Sequence, residues 1–272
     1  MTGDKSLEEI ALQILQEKGF RVEKDLPHEP HVTIPVKPGQ TFKWAVVSCT
    51  HLGGKFQQLT HLRDFCKRAV EDHGVDRIWH VGDLLMGSSR RHDYIYEAFK
   101  HGATAQHDYA AEVLPELGVP WELITGNHDE WWYTTEGIDT GVEMAHRRPD
   151  INYIGRRAAR LDIGGLYVYL HHGDGGIPYA LSYKQQRAIE RMNPRPDVYL
   201  IANWHSAIYI PGYAGSELLM SPCFQAQTPF ERRKGLTPTV GGFILEIKIE
   251  DHGHWEVTPR FHIYKDMIDH DY

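Results

Sequence analysis

Three features are scarce in this chain of 272 residues: cysteine, long apolar runs and basic charge. Its cysteines, Cys49, Cys66 and Cys223, are odd in number and have the spacing of neither a disulfide framework nor a zinc knuckle, so we expect a reducing, cytoplasmic location. No apolar run approaches the ~18 residues that span a membrane. The opening Met1–Ser6 is too polar for a signal peptide, and we therefore expect no membrane association.

The charge balance is acidic, with a formal net charge of −8 at pH 7. This argues against a protein that binds long duplex DNA through a broad basic face, but it leaves room for a nuclease with a local basic groove. The 18 histidines are many for this length, and a metal site would explain part of the excess. The others, His80 and His107 among them, are expected on the surface.

The N-terminal part is predicted to be an appendage. Apolar residues recur at helical spacing from Leu7 to Gly19, and a proline-rich segment over residues 25–41 then predicts an extended arm. We therefore expect an N-terminal helix and arm over residues 1–41 and a main domain over residues 42–272.

The main domain begins with three predicted strands, separated by helices, up to Thr125. One of these helices is predicted over residues 92–114. A β-α-β-α-β order favours a parallel sheet with helices on its faces. The second half is richer in predicted strands, with a further helix around residues 178–192.

Short polar clusters follow the predicted strands. They are Cys49-Thr50-His51, Gly82-Asp83, Gly126-Asn127-His128-Asp129, His172-Gly173-Asp174 and Asn203-Trp204-His205. Sites in such sheets form at the carboxyl ends of the strands. Carboxylates and imidazoles are the donors that a divalent metal needs, and one bridging carboxylate is typical of a two-metal hydrolase. The clusters therefore predict a metal site that hydrolyses a phosphate ester.

Four of the five clusters also have an ordinary structural interpretation. Cys49 is a small residue of a type that is commonly buried, and Asp83 could cap a helix. Asn127–Asp129 and Asn203 could lie in turns, because Asn and Asp favour them. Residues 131–133, Trp-Trp-Tyr, could pack in the core or form a stacking wall for a base or sugar.

In this order, the clusters resemble the motif series of the calcineurin-like metallophosphoesterase superfamily. That series runs Asp-x-His, Gly-Asp, Gly-Asn-His-Asp/Glu, a His before Gly, and Gly-His-x-His. The resemblance extends over residues 43–210 and is most specific at Gly126–Asp129. It implies a four-layer α/β sandwich, in which two mixed β-sheets pack face to face with helices outside, and an enzyme that hydrolyses phosphate esters with metal ions.

The resemblance implies a place for each metal ligand. Asp83 would bridge two divalent ions. His51 and His205 would bind the first ion, and Asn127 and His172 the second. Mn²⁺ is our first expectation for the ions, with Zn²⁺, Fe²⁺ or Ni²⁺ as alternatives.

Two catalytic roles follow from the same resemblance. A metal-activated hydroxide would attack phosphorus, and His128 would contact the phosphate or protonate the leaving group. Asp129 would orient His128 as a hydrogen-bond partner.

The chain departs from the family pattern at two expected metal ligands. Cys49 stands where the first motif has Asp, and Asn203 stands where the last motif has its first His. A thiolate prefers softer metals such as Zn²⁺ or Fe²⁺, and Asn is a weak neutral donor. Three outcomes stay open: an altered two-metal site, a site with one tightly held metal, and a protein without catalysis.

The substrate class is indicated by two further segments. Residues 51–55 and 222–230 resemble a branch of the superfamily from phages and prokaryotes that is associated with DNA-directed phosphodiesterases. A phosphodiesterase or nuclease acting on DNA or a nucleotide is therefore our first expectation, and a phosphomonoesterase the second. A non-catalytic binding scaffold is the third, because degenerate relatives serve as accessory subunits of replication polymerases. The basic groups Arg90–Arg91 and Arg232–Lys234 are either solvated or hold a substrate phosphate.

Overall fold

A computed structural model describes residues 31–37, 39–89, 94–250 and 253–272. The helix predicted from Leu7 to Gly19 and the pair Arg90–Arg91 lie outside these ranges. Within the predicted arm, residues 31–34 form a strand that joins a sheet of the main domain.

The described chain contains twelve strands. In chain order they are β1 (His31–Ile34), β2 (Thr41–Val47), β3 (Arg77–Val81), β4 (Trp121–Thr125), β5 (Ile151–Arg156), β6 (Ala158–Ile163), β7 (Leu166–His171), β8 (Val198–Ile201), β9 (Ile208–Tyr213), β10 (Ser216–Met220), β11 (Val240–Ile249) and β12 (Trp255–Tyr264). One sheet has the order β1-β6-β7-β8-β10-β9, and the other has the order β12-β11-β2-β3-β4-β5.

Both sheets are mixed. In the second sheet β2 to β5 run parallel, β11 is antiparallel to β2, and β12 is antiparallel to β11. In the first sheet β7, β8 and β10 run parallel, β9 is antiparallel to β10, and β6 is antiparallel to β7 but parallel to β1. Helices flank the two sheets, and the predicted fold class, an α/β sandwich of two mixed sheets, is confirmed.

The helices of the described chain lie mainly in the connections between strands. They are α1 (Leu59–Glu71), α2 (Ala103–Val113), α3 (Glu130–Glu136), α4 (Thr140–Arg147), α5 (Tyr183–Arg191) and α6 (Pro229–Arg233), with a 3₁₀ helix at Tyr94–Tyr96. None of these described helices has both the length and the apolar character to cross a bilayer.

Helix α1 shows how sequence pattern and tertiary contacts combine. It buries Leu62 and Phe65 against the sheet, as the helical period predicts. Its first residues receive no local cap from Gln58. Instead the distant Asp271 carboxylate accepts hydrogen bonds from Thr60 N, at 2.8 Å, and Thr60 Oγ1, at 2.7 Å. A carboxylate at this position satisfies a free amide and complements the helix dipole.

The prediction of one helix over residues 92–114 is wrong in extent. Regular α-helix begins only at Ala103, after Gly102 with φ +89°. The preceding segment forms long-range contacts instead: Phe99 N donates to Gly53 O, and Lys55 N donates to Glu97 O. These backbone bonds to the loop after β2 replace the bonds of a continuous helix. The second-half helix also begins later than predicted, at Tyr183.

The core joins both sheets. Trp44 and Trp79 on neighbouring strands pack with ring centroids 4.5 Å apart, and Leu170 and Leu200 of the other sheet belong to the same buried cluster. The strands of this core end near one another, because β2, β3 and β4 run parallel in one sheet and β7 and β8 run parallel in the other. The loops after these strands carry all five polar clusters.

Candidate metal centre

The loops that carry the clusters share an unusual backbone geometry. Eight non-glycine residues of the described chain have positive φ, and five of them are predicted ligands: Cys49, His51, Asp83, Asn203 and His205. Left-handed conformations cost free energy for side chains with a Cβ and concentrate at functional sites. Here they turn the chain sharply at the ends of strands, so that polar side chains of both sheets face one another.

Asp83 lies at the centre of the cluster and is almost fully buried. Its Oδ2 is 3.1 Å from His172 Nε2, 3.9 Å from His51 Nε2 and 4.0 Å from His128 Nε2. Burial opposes ionisation of Asp83, but the neighbouring imidazoles of His172 and His128 outweigh it and hold the pKa of this carboxyl well below its usual range. One ionised oxygen thus faces three imidazoles, as a bridging ligand requires.

The first of two ligand groups forms around His172. Its Nδ1 is 2.7 Å from the carbonyl of Val81, so Nδ1 donates to that oxygen and Nε2 faces the centre. Nε2 lies 3.2 Å from Asn127 Oδ1 and 3.1 Å from Asp83 Oδ2. Burial lowers the pKa of His172, but the charge of Asp83 outweighs it and raises this pKa, which favours a proton on Nε2 as well. A divalent cation would displace that proton and bind the same three atoms.

The second ligand group consists of Cys49, His51 and His205. Their candidate ligand atoms all lie within 4.8 Å of one another. The Nε2 atoms of the two histidines are 3.2 Å apart, close to the roughly 3.3 Å expected for two imidazoles on one tetrahedral zinc. Burial, followed by the nearby His128, holds the pKa of His51 well below its usual range, so this imidazole is neutral and able to bind metal. The residues present fit a metal ion.

Glu231 fixes the orientation of His205. Its Oε1 accepts a hydrogen bond from His205 Nδ1 at 2.9 Å, and its Oε2 accepts one from Thr228 N at 2.8 Å. Thr228 also caps α6 by accepting from Glu231 N. Sequence reasoning did not single out Glu231. The Thr-Pro-Phe-Glu pattern of a capping box marks the helix start, but it carries no sign of the contact with His205.

His128 is held by the loop that follows Asp83. Its backbone N donates to Asp83 Oδ1 at 2.8 Å, and its Nδ1 lies 2.9 Å from Met86 O and 3.1 Å from Tyr94 Oη. With Nδ1–H directed to the Met86 carbonyl, Nε2 is the atom that faces the centre. Burial lowers the pKa of His128, although the charge of Asp83 opposes the shift.

The role predicted for Asp129 needs correction, because the side chain does not contact the His128 ring. Its carboxylate accepts hydrogen bonds from the backbone amides of Gly126 at 2.7 Å, Leu85 at 2.9 Å and Leu84 at 3.2 Å. Burial and the charge of Asp83 raise the pKa of Asp129 to about 7, against the effect of these amides. Asp129 thus ties the second polar loop to the third, and it supports His128 only through the backbone.

Two glycines allow the loops to approach this closely. A Cβ on Gly126 would lie 2.2 Å from Asp83 Oδ1 and 2.7 Å from His172 Nε2. A Cβ on Gly82 would lie 2.3 Å from His172 Nδ1. Both glycines are therefore needed for space, and Gly82, with φ +82°, is also needed for the turn.

A cavity of about 600 Å³ opens over the centre. Asn203 lines it together with His51, Asp83, His128 and His205. Within the described chain no hydrogen bond to the Asn203 side chain is found, whereas Cys49 lies fully buried beneath the cavity. The structure thus brings all the predicted ligands to one centre. Of the two asparagines among them, only Asn127 lies within hydrogen-bond distance of another candidate ligand, His172.

Two histidines expected on the surface, His80 and His107, are buried instead. The Nε2 of His80 lies 3.0 Å from Thr50 Oγ1, and Thr50 donates to Leu84 O. Burial lowers the pKa of His80 to about 3, so the ring is neutral and donates to the threonine oxygen. His80 therefore links the loops after β2 and β3 rather than binding solvent. The sequence could have indicated this burial, because His80 lies in a predicted strand, and β3 is buried along most of its length.

Comparison with known proteins agrees with this geometry. The profile of the calcineurin-like phosphoesterase family matches residues 42–236, which is more than half of the chain. No curated protein sequence matches this chain significantly.

Several solved structures are similar to this chain at low sequence identity. A dimetal phosphatase from Danio rerio is 10% identical, with 83% of this chain and 97% of that chain covered and a TM-score of 0.44. GAP50 of the Plasmodium inner membrane complex is 9% identical, with 84% and 86% covered and a TM-score of 0.46. Vps29 of Entamoeba histolytica, complexed with zinc, is 14% identical, with 81% and 99% covered and a TM-score of 0.38.

Proposed function

Because this chain belongs to the calcineurin-like phosphoesterase family, we propose that it is a metal-dependent phosphodiesterase. The observation that carries the proposal is the position of Asp83, whose Oδ2 has three imidazole Nε2 atoms within 4.0 Å. A buried carboxylate surrounded in this way is the arrangement needed to bridge two ions.

The residues divide into two holding groups. Cys49, His51 and His205 would hold one ion, Asn127 and His172 the other, with Asp83 shared. Divalent ions held there would activate water and neutralise negative charge on the phosphoryl oxygens. Asn203 lines the cavity beside the first group and is available to substrate as a neutral hydrogen-bond donor.

His128 is the proton donor in this proposal. Its Nδ1–H is directed to Met86 O, so Nε2 is the position from which the imidazolium form would deliver a proton to the leaving oxygen. The contact of Tyr94 with the same Nδ1 restrains the ring orientation. A ring fixed in this way presents Nε2 to the cavity without a change of rotamer.

The charge of the cavity favours a diester. Among the described residues that line it, Lys234 is the only lysine or arginine, and Glu97 and Glu231 are acidic. A phosphomonoester carries nearly two charges and needs more cationic groups than a diester, which carries one. The volume of about 600 Å³ and the rings of Tyr94, Trp131 and Trp204 also leave room for two ester substituents. A nucleic acid or nucleotide diester is the substrate class that we favour.

The test combines metal analysis with hydrolysis of bis-p-nitrophenyl phosphate and p-nitrophenyl phosphate in Mn²⁺, Mg²⁺, Zn²⁺, Fe²⁺ or Ni²⁺. We expect up to two metals per chain and a higher kcat/KM for the diester. Asp83→Ala should lose both metal and turnover, and His128→Ala should lose turnover with metal retained. Preference for the monoester would make the protein a phosphomonoesterase. Absence of both metal and turnover would favour a binding scaffold and contradict the proposal.

A further inference from the structure

Exposed apolar side chains are concentrated beside the cavity. The described chain has ten large hydrophobic residues that are exposed, and half of them lie in two short segments. These are Ile95 and Tyr96 in the 3₁₀ helix, and Tyr179, Leu181 and Tyr183 in the segment that leads into α5. We call the segments Tyr94–Tyr96 and Ile177–Lys184 the rim.

Both segments of the rim are continuous with the cavity wall. Tyr94 lines the cavity and is followed directly by Ile95 and Tyr96. Ile177 also lines the cavity, and Tyr179 stands two residues beyond it with its side chain fully exposed. A molecule that extends out of the cavity past Tyr94 or Ile177 therefore reaches the segments that carry these exposed side chains.

The rim also carries positive charge. Lys184 Nζ lies 4.9 Å from the ring centroid of Trp204, a cavity-lining residue, so this cation is at the edge of the cavity. Farther along α5, Arg187 and Arg191 are exposed. Glu190 is the one carboxylate of this helix, and it pairs with Arg187. The helix thus contributes a net charge of about +2, in a protein whose net charge is −8.

We propose that the rim binds the strand of a single-stranded polynucleotide outside the scissile phosphodiester. The proposal rests on the proposed diesterase function. Separate tyrosine rings provide faces on which successive bases stack, and cations beside them meet the phosphates between the bases. A protein partner would favour a continuous apolar face, whereas the exposed Tyr179, Leu181 and Tyr183 are separated along the chain by Ala180 and Ser182 and are followed by Lys184. Duplex DNA hides its bases and would need a broad basic face.

Binding of a fluorescent dT12 oligonucleotide to the metal-free protein tests this directly by anisotropy. The comparison ligand is a 12-mer of the same backbone with abasic sites. We expect dT12 to bind more tightly than the abasic strand, and Tyr179→Ala/Tyr183→Ala to weaken dT12 binding roughly tenfold or more, with a much smaller effect on the abasic strand. Lys184→Ala, which removes the cation of the rim beside Trp204, should reduce the slope of log affinity against log salt concentration by roughly 0.7.

Tyr209→Ala is the matched control, because it removes an exposed tyrosine from β9, outside the rim. We expect it to leave dT12 binding unchanged. Equal affinity for dT12 and the abasic strand would overturn the proposal, as would an equal loss in the control. Failure of dT12 to bind, together with self-association that Tyr179→Ala abolishes, would assign the rim to a second copy of the chain and overturn it as well.

Hydrolysis of bis-p-nitrophenyl phosphate is measured on the same preparations after a divalent metal is added, so that two failures can be told apart. Turnover of this small diester without rim-dependent oligonucleotide binding would reject the rim proposal alone. Rim-dependent binding without turnover in any metal would reject the diesterase proposal alone.

Discussion

Glu231 Oε1 accepts a hydrogen bond from His205 Nδ1 at 2.9 Å, while its second oxygen accepts one from the backbone of Thr228. One carboxylate therefore fixes both the tautomer of a candidate metal ligand and the start of α6. Glu231 also lines the cavity, together with its neighbours Phe230 and Lys234. The same residue therefore belongs both to the cavity wall and to the support of the metal centre.

Glu231→Gln should lower metal affinity at the group of Cys49, His51 and His205 by about 10–100-fold. Gln has one oxygen where two are needed, so it cannot accept from both Thr228 N and His205 Nδ1. Competition with a chromophoric chelator measures the affinity. Thr228→Ala is the control, because it removes a cap bond and leaves the contact with His205 intact. An equal loss of affinity in Thr228→Ala would show that helix stability, not the tautomer, governs metal binding.

Asp129→Asn should destabilise the fold by about 1–3 kcal/mol, because a buried amide NH₂ would replace an oxygen that accepts backbone hydrogen bonds. The carboxylate holds amides of Gly126, Leu84 and Leu85, so the loss is expected in the loops of the centre. Urea unfolding measures the change. A fall in turnover at unchanged stability would instead support direct assistance of His128 by Asp129.

Gly126→Ala should abolish metal binding while the protein stays folded. The added Cβ would lie 2.2 Å from Asp83 Oδ1, and neither that side chain nor the Asp83 backbone, 2.4 Å away, has space to move freely. Metal content after dialysis is the measurement, with circular dichroism as the check on folding. In the control, Gly74→Ala, the new methyl group meets no atom within 4 Å, at the cost of a positive φ. Full metal content in Gly126→Ala would contradict the geometry described for this loop.

The strand order of the first half and the positions of the clusters were predictable from sequence, because buried parallel strands are near-continuous apolar runs and their ends carry turn residues. Helix boundaries were less predictable. Residues 97–100 form backbone hydrogen bonds with the loop after β2, which is distant in sequence. The helices α3 and α4 were not predicted. Asp139 caps α4 through Gly141 N and Val142 N, but the 8 residues of this helix are too few for a helical period to be recognised in the sequence.

The ligand set was also predictable in part. Spacing after strands marked Asp83 and His172, whereas the partners that orient the ligands come from elsewhere in the chain. Glu231 reaches His205 from 26 residues away, and Tyr94 reaches His128 from 34 residues away. Such contacts depend on tertiary packing and leave no periodic trace in the sequence. Asp129 illustrates the reverse error, since adjacency to His128 in the chain did not produce a contact between the side chains.

Cys49 gives the last prediction, which concerns metal preference. The thiol is fully buried, and its Sγ lies within 4.8 Å of the ligand nitrogens of His51 and His205. Burial raises the pKa of the Cys49 thiol, so without metal it is protonated at neutral pH. A metal ion must displace that proton, and soft ions do so more readily than hard ones.

The protein loaded with Co²⁺ should therefore show an intense near-ultraviolet thiolate-to-cobalt charge-transfer band. This band should be absent in both Cys49→Ser and Cys49→Asp. The Asp variant should also move the preference of the site from Zn²⁺ towards Mn²⁺ and Mg²⁺, because a carboxylate is a harder ligand. Cys66→Ser is the control, since Cys66 packs in the core under α1 and belongs to neither ligand group. If the band persists in Cys49→Ser, another thiol binds the ion, and Cys223, which contacts His205, is the candidate. If the band is absent from the unaltered protein, His51 and His205 hold the ion without sulfur.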